Sequence, residues 1–136
     1  LPSLAIAAPR AAIVVDADTR EILYAEDIDA GLHPAQLVQL MTNFVALDAI
    51  AQGEITLDSS VYVSSRSVAQ PRPHFGLREG QQVRLRYLIA ASAAANGNDA
   101  AHAIAEAVAW RHDAFVERMN ETAAALCMTQ TQFANA

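Results

Sequence analysis

From Leu85 to Ala95 almost every residue is apolar, and a polar break, Asn96-Gly97-Asn98-Asp99, separates this run from a second stretch, Ala100 to Trp110. A helix that is apolar on nearly all sides belongs inside a core. The pattern therefore predicts two consecutive core helices, Leu85–Ala95 and Ala100–Trp110, with Asp99 placed to cap the second. The break sets two amides and a glycine inside an apolar region, where an unmet donor costs about 1–3 kcal/mol. It is either a binding site or a turn that satisfies itself.

The rest of the chain supplies elements to pack around this pair. Ala11–Val15 and Glu21–Tyr24 are short β-branched runs joined by Asp16-Ala17-Asp18-Thr19-Arg20, which reads as a β-hairpin. Asp16 and Asp18 suit Asx-turn hydrogen bonding better than acid/base work. From Pro34 to Ala51, Leu37, Leu40, Met41, Phe44, Leu47 and Ile50 recur at three- and four-residue spacing, predicting a helix with those residues toward the core. Residues 53–82 lose that period and collect serine, proline and glycine, so turns and one brief strand, Val61–Val63, are expected. Asp113 is expected to cap a last helix, Ala114–Leu126, with Phe115, Met119 and Ala123 on one stripe, followed by an extended end from Thr129 to Ala136.

Composition narrows the chemistry. All nine basic residues among the 136 are arginine, so lysine Schiff bases, P-loops and lysine general bases are excluded. A formal charge of -6 with no basic run argues against nucleic acid and anionic membranes. No apolar run approaches the ~20 residues of a bilayer span. Histidines 33, 74, 102 and 112 form no metal-ligand pair, so neither a metal nor another cofactor is expected. His102 reads as a helix-surface residue, His33 as a packed or capping imidazole, and Cys127 as a small buried side chain. Ala5-Ile6-Ala7 before Ala8-Pro9 has the small-x-small form of a signal-peptidase site, which alanine richness also produces by chance.

The order of segments carries a resemblance. Ala11-Ala12-Ile13-Val14-Val15-Asp16-Ala17-Asp18-Thr19, Ile22-Leu23-Tyr24, His33-Pro34-Ala35 with Met41-Thr42, Gly80-Gln81-Gln82-Val83, Gly97-Asn98-Asp99-Ala100-Ala101 and Asp113-Ala114-Phe115-Val116 together resemble the serine-type D-alanyl-D-alanine carboxypeptidases, the low-molecular-weight penicillin-binding proteins. The resemblance implies an α+β chain with the penicillin-binding-protein or serine β-lactamase-like transpeptidase fold. It would contain a helical lobe and an N-terminal β-hairpin, with the later sheet strands missing. It also implies an N-terminal segment 1–10 after signal cleavage and one truncated domain over 11–136.

In that family the attacking serine and its lysine base follow His-Pro-Ala as Ser-x-x-Lys. The matching positions here are Gln36 and Gln39, and neither amide supplies a nucleophile or a base. The Ser-x-Asn motif falls on Asn96-Gly97-Asn98, with Asn98 kept and Asn96 in place of serine. The Lys-Thr-Gly strand would lie beyond residue 136. Ser64, Ser65, Ser67 and Ser92 have no lysine, and no histidine lies at a spacing that suggests activation.

The expectation is a catalytically inactive homologue exported to the periplasm or cell envelope, acting as a binding or structural subunit. It would meet a protein partner or a second copy through the open hairpin edge, and bind peptidoglycan peptide weakly. The alternative is a fragment or altered form of an active carboxypeptidase that trims stem peptides.

Overall fold

The computed structural model describes residues 11–33 and 35–136, except for the side chains at 35 and 36. The chain divides into two compact units, Leu1–Pro34 and Ala35–Ala136. The expected segment 1–10, with its cleavage-like triplet, and Pro34 as a helix start lie outside the described residues.

The first unit holds the expected hairpin. Strands β1 (Ala12–Val15) and β2 (Ile22–Glu26) pair antiparallel, with a register irregularity between Val14 and Val15. Asp16 makes the turn: its Oδ1 accepts from the backbone N–H groups of Asp18 and Thr19 and from the Thr19 hydroxyl. Those bonds, that of the Thr19 backbone first, hold the Asp16 carboxyl below its ordinary value. Ile13, Val14, Val15, Ile22, Leu23 and Tyr24 all remain exposed, so both faces of the hairpin are open.

The second unit contains α1 (Ala35–Ala51), β3 (Ser60–Tyr62), α2 (Ser65–Val68), β4 (Gln82–Arg84), α3 (Leu85–Ala95), α4 (Asn98–Ala109) and α5 (His112–Ala125). Strands β3 and β4 form a second antiparallel pair, Val61 opposite Val83. Three residues such as Gln82-Val83-Arg84 are too short to show an alternating pattern, so no periodicity marks β4.

The centre of this unit is α4, which packs against α1, α2, α3, α5 and β3. Ala100, Ala101, Ala103, Ile104 and Ala105 are fully buried. Alanine favours helix and lets neighbours approach from every side. On one flank lies a core of Val61, Val63, Leu77, Leu85, Leu88 and Ile104; on the other, Met41, Val45, Phe115, Met119 and Ala123. Each large side chain so placed contributes roughly 1.5–3 kcal/mol by leaving water.

Several expectations need correction. α3 is not buried on all sides: Leu85, Leu88, Ala91 and Ser92 face inward, while Tyr87 is exposed. In α1, Met41 is buried as expected and Ile50 partly so, but Leu37, Leu40, Phe44 and Leu47 are 47–67% exposed, and Val45, Ala46 and Ala49 are buried in their place. α1 is apolar nearly all round, so periodicity could not choose a face. The small residues Ala46 and Ala49 permit the close approach that the large ones would block.

The last two helices start earlier than the caps suggested. Gly97 is the N-cap of α4 and Arg111 that of α5, while Asp99 and Asp113 fall in the first turns. The stripe Phe115, Met119, Ala123 is buried as its spacing implied. Cys127 is exposed rather than buried, because the chain turns there with φ 59° beyond the end of α5. Residues 129–136 form no strand; Asn120 fixes them by donating to Phe133 O (3.0 Å) and accepting from Phe133 N (2.8 Å).

Candidate functional site

The polar break between α3 and α4 closes α3 on Asn96, which takes a left-handed conformation (φ 48°, ψ 37°) open to asparagine at modest cost. The turn aims the Asn96 carbonyl and the Asn98 side chain at α1. There Gln39, 6% exposed, donates both amide protons, from Nε2 to Asn96 O (2.9 Å) and to Asn98 Oδ1 (2.8 Å). Both partners are acceptors, so the orientation of the Gln39 amide is fixed. Asn98 in turn donates from Nδ2 to Pro71 O (2.9 Å) and from its backbone N to Pro73 O (2.9 Å).

Asp99 organises the loop above. Its carboxylate is 1% exposed and accepts from the backbone N–H groups of Phe75 (2.8 Å), Gly76 (2.9 Å), Leu77 (2.9 Å) and Ala100 (2.9 Å). Burial alone pushes the carboxyl up, but the bonds from Phe75, Leu77, Gly76 and Ala100 together hold it below the usual aspartate range.

Gly97 allows this closeness, since a Cβ there would lie 3.0 Å from Asp99 Oδ1, 3.0 Å from Phe75 Cβ and 3.1 Å from Phe75 N. Phe75 N is held by Asp99 and cannot retreat freely. Gly97→Ala is expected to lower stability by about 1–2 kcal/mol despite alanine's entropic advantage in the unfolded chain, measured as a lower urea midpoint at unchanged slope.

Of the four motif positions, the structure thus brings Gln39, Asn96 and Asn98 together. The side chain of Gln36, the fourth of these positions, lies outside the described residues. Gln39 Oε1 is buried without a partner, as are Asn43 Oδ1, one turn further along α1, and Ser92 Oγ, one turn before Asn96. The cluster is a set of oriented, uncharged amides with spare acceptor capacity. Ser92 is fully buried, so its hydroxyl is not presented to a ligand.

A second polar cluster was not foreseen. His102, expected on a helix surface, is 6% exposed beside the fully buried Ser67. Its Nδ1 lies 3.1 Å from Ser67 Oγ and 3.8 Å from Glu106 Oε2. Glu106 Oε2 accepts from Ser64 Oγ (2.6 Å) and Ser67 Oγ (3.1 Å), and Ser64 Oγ caps α2 by accepting from Ser67 N.

Serine, histidine and carboxylate meet here, but in the wrong order for a relay. The carboxylate holds the hydroxyl rather than the far nitrogen of the imidazole, and Ser67 is inaccessible. The network pins α2 to α4. Burial, above all, pushes the His102 imidazole below its ordinary value; Glu106 opposes this, and His112 and Arg66 reinforce it. The available signal was the i,i+4 pair His102/Glu106 on one face of α4, but which of its faces was covered was not legible. Among the described residues no cluster is suited to a metal ion, and no helix is long and apolar enough to cross a membrane.

Comparison with known proteins connects this geometry to relatives. The sequence profile of the D-alanyl-D-alanine carboxypeptidase family matches residues 2–136. D-alanyl-D-alanine carboxypeptidase DacF of Bacillus subtilis (strain 168) is 28% identical over 126 residues, covering 93% of this chain and 32% of its own length. DacD of Escherichia coli (strain K12) is 35% identical over 127 residues, covering 89% and 33%. The chain thus spans about a third of the length of the curated relatives it matches.

Among solved structures, D-alanyl-D-alanine carboxypeptidase DacD from Francisella tularensis superposes with TM-score 0.88 at 30% identity, over 92% of this chain and 30% of that one. Penicillin binding protein 5 from Haemophilus influenzae gives TM-score 0.87 at 26% identity, over 96% and 40%.

Proposed function

Because this chain belongs to the D-alanyl-D-alanine carboxypeptidase family, we propose that it is a non-acylating member with the family's fold in part, serving the cell envelope as a binding or structural subunit. The observation that carries this reading is Gln39. Where the family resemblance calls for a lysine base, this side chain spends both of its N–H groups on Asn96 O and Asn98 Oδ1. An amide in that place holds the two helices together and cannot take a proton from an attacking hydroxyl. Position 36, where the resemblance calls for the nucleophile, is also glutamine. Asn98 remains able to meet a peptide amide, so weak affinity for peptidoglycan peptide is compatible with the cluster.

A second reading is a piece or altered form of an active carboxypeptidase. Two observations favour it: the chain spans about a third of its curated relatives, and the hairpin exposes apolar side chains on both faces. Further strands would cover those faces, supplied by the same polypeptide or by another.

A fluorescent penicillin tests the acylation claim. No label surviving denaturing electrophoresis is expected, alongside an active relative as positive control; stable labelling would overturn the proposal. Light scattering tests the subunit claim. A dimer, or a partner recovered from envelope extracts, is expected, whereas a monomer at tens of micromolar with no partner would favour the second reading.

A further inference from the structure

Trp110 is 91% exposed, more than any other large apolar side chain among the described residues. It also closes α4 in the left-handed region, with φ 61° and ψ -27°. Glycine adopts such a conformation freely, whereas a bulky aromatic there is a steric outlier. An indole usually contributes to a fold through the large area it buries. This one buries little, so the chain gains neither backbone ease nor packing from it. Strain kept at a position that serves no packing points to a contact outside the chain.

The next residues supply the rest of a site. Arg111, His112 and Asp113, with Arg66 of α2, line one cavity. Arg111 is held by the Asp113 carboxylate, so those two charges cancel locally. His112 Nε2 accepts the Ala136 N–H at 3.4 Å, which in the neutral ring leaves the proton on Nδ1 as a donor. The guanidinium of Arg66 makes no hydrogen bond or ion pair among the described residues; only its backbone carbonyl is engaged, by Gln70. Trp110 is one peptide bond from this cavity wall, within the span of a single sugar unit and its substituents.

We propose that Trp110 and the cavity that begins at the next residue, with Arg66 in its wall, bind a saccharide bearing one carboxylate. The polarised C–H face of a pyranose ring lies on the electron-rich face of the indole, and the Arg66 fork takes the carboxylate bidentately. The net charge of -6 disfavours a polyanion or an anionic bilayer as the occupant, while a single free guanidinium matches a single carboxylate.

Trp110 is the sole tryptophan of the chain, so intrinsic fluorescence reports on this position alone. N-acetylmuramic acid and N-acetylglucosamine present the same ring with and without a carboxylate. The acidic sugar is expected to give a saturable blue shift and protection from iodide quenching, with the neutral sugar about tenfold weaker. Arg66→Ala brings the acidic sugar to the level of the neutral one. Trp110→Gly raises the thermal midpoint by about 2–4 °C, since glycine suits the backbone, and abolishes calorimetric binding of N-acetylmuramic acid. No saturable signal with the acidic sugar, or unchanged calorimetric binding to Trp110→Gly, would overturn the proposal. So would equal binding of the two sugars, or a blue shift produced only by phosphatidylglycerol vesicles.

Discussion

Asp99→Ala is expected to destabilise the Ala35–Ala136 unit by about 3–5 kcal/mol, enough to leave much of it unfolded at room temperature in mild denaturant. The carboxylate is the common acceptor for the N–H groups of Phe75, Gly76, Leu77 and Ala100. Alanine leaves those donors without a partner in a region from which water is largely excluded. Asp99→Asn separates the causes: it keeps the shape but offers one acceptor oxygen and turns an amide NH2 toward donors, so an intermediate loss is expected.

Acid should mimic the substitution. The folded-state carboxyl lies below its ordinary value, so its contribution is present above that value and is lost as pH falls through the depressed one. Urea unfolding of wild type and both variants between pH 3 and 7 checks this. A variant as stable as wild type at neutral pH would show that the 75–77 loop is held by something other than Asp99.

The second large effect is at Glu106. Glu106→Ala is expected to cost about 2–4 kcal/mol, because Ser64 and Ser67 lose their shared acceptor and His102 loses the carboxylate beside it. Glu106→Gln keeps an acceptor oxygen and should recover a good part of the loss. The pH dependence carries a sign. Burial first, then His112 and Arg66, hold His102 below its ordinary value of about 6.5 against the pull of Glu106.

The folded chain therefore binds fewer protons than the unfolded one in that range. Stability is fully present above pH ~6.5 and declines as pH falls through the depressed value. Removing Glu106 removes the upward pull, so the decline of the alanine variant should extend further into acid than that of wild type. A His102 titration followed by NMR in both proteins reads this directly; an unchanged or raised value in Glu106→Ala would refute the assignment.

Much of the architecture could be read before any coordinates. The hairpin follows from two β-branched runs around a turn that Asp16 makes with its own side chain. The inward stripe of α5 follows from the spacing of Phe115, Met119 and Ala123. The family and its fold were legible because ordered short motifs survive where single residues do not, and the same order placed Gln39, Asn96 and Asn98 in one neighbourhood. These are properties of local conformation and of sequence order, which the chain carries by itself.

What it could not carry was the choice among apolar faces. α1 offers large side chains at Leu37, Leu40, Phe44 and Leu47 and small ones at Ala46 and Ala49. Only close packing against α3, α4 and α5 decides that the face carrying Ala46 and Ala49, with Met41 and Val45, is buried, because the distance between helices is a joint property of both surfaces. The same physics removed His102 from the surface: with alanine on every side, α4 is enclosed by whatever packs round it, and a polar residue on it must find partners inside. The meeting of Ser64, Ser67, His102 and Glu106, and the hold of Asp99 on the 75–77 loop, join positions more than twenty residues apart. No periodicity encodes such pairs; the tertiary fold alone brings them within hydrogen-bond reach.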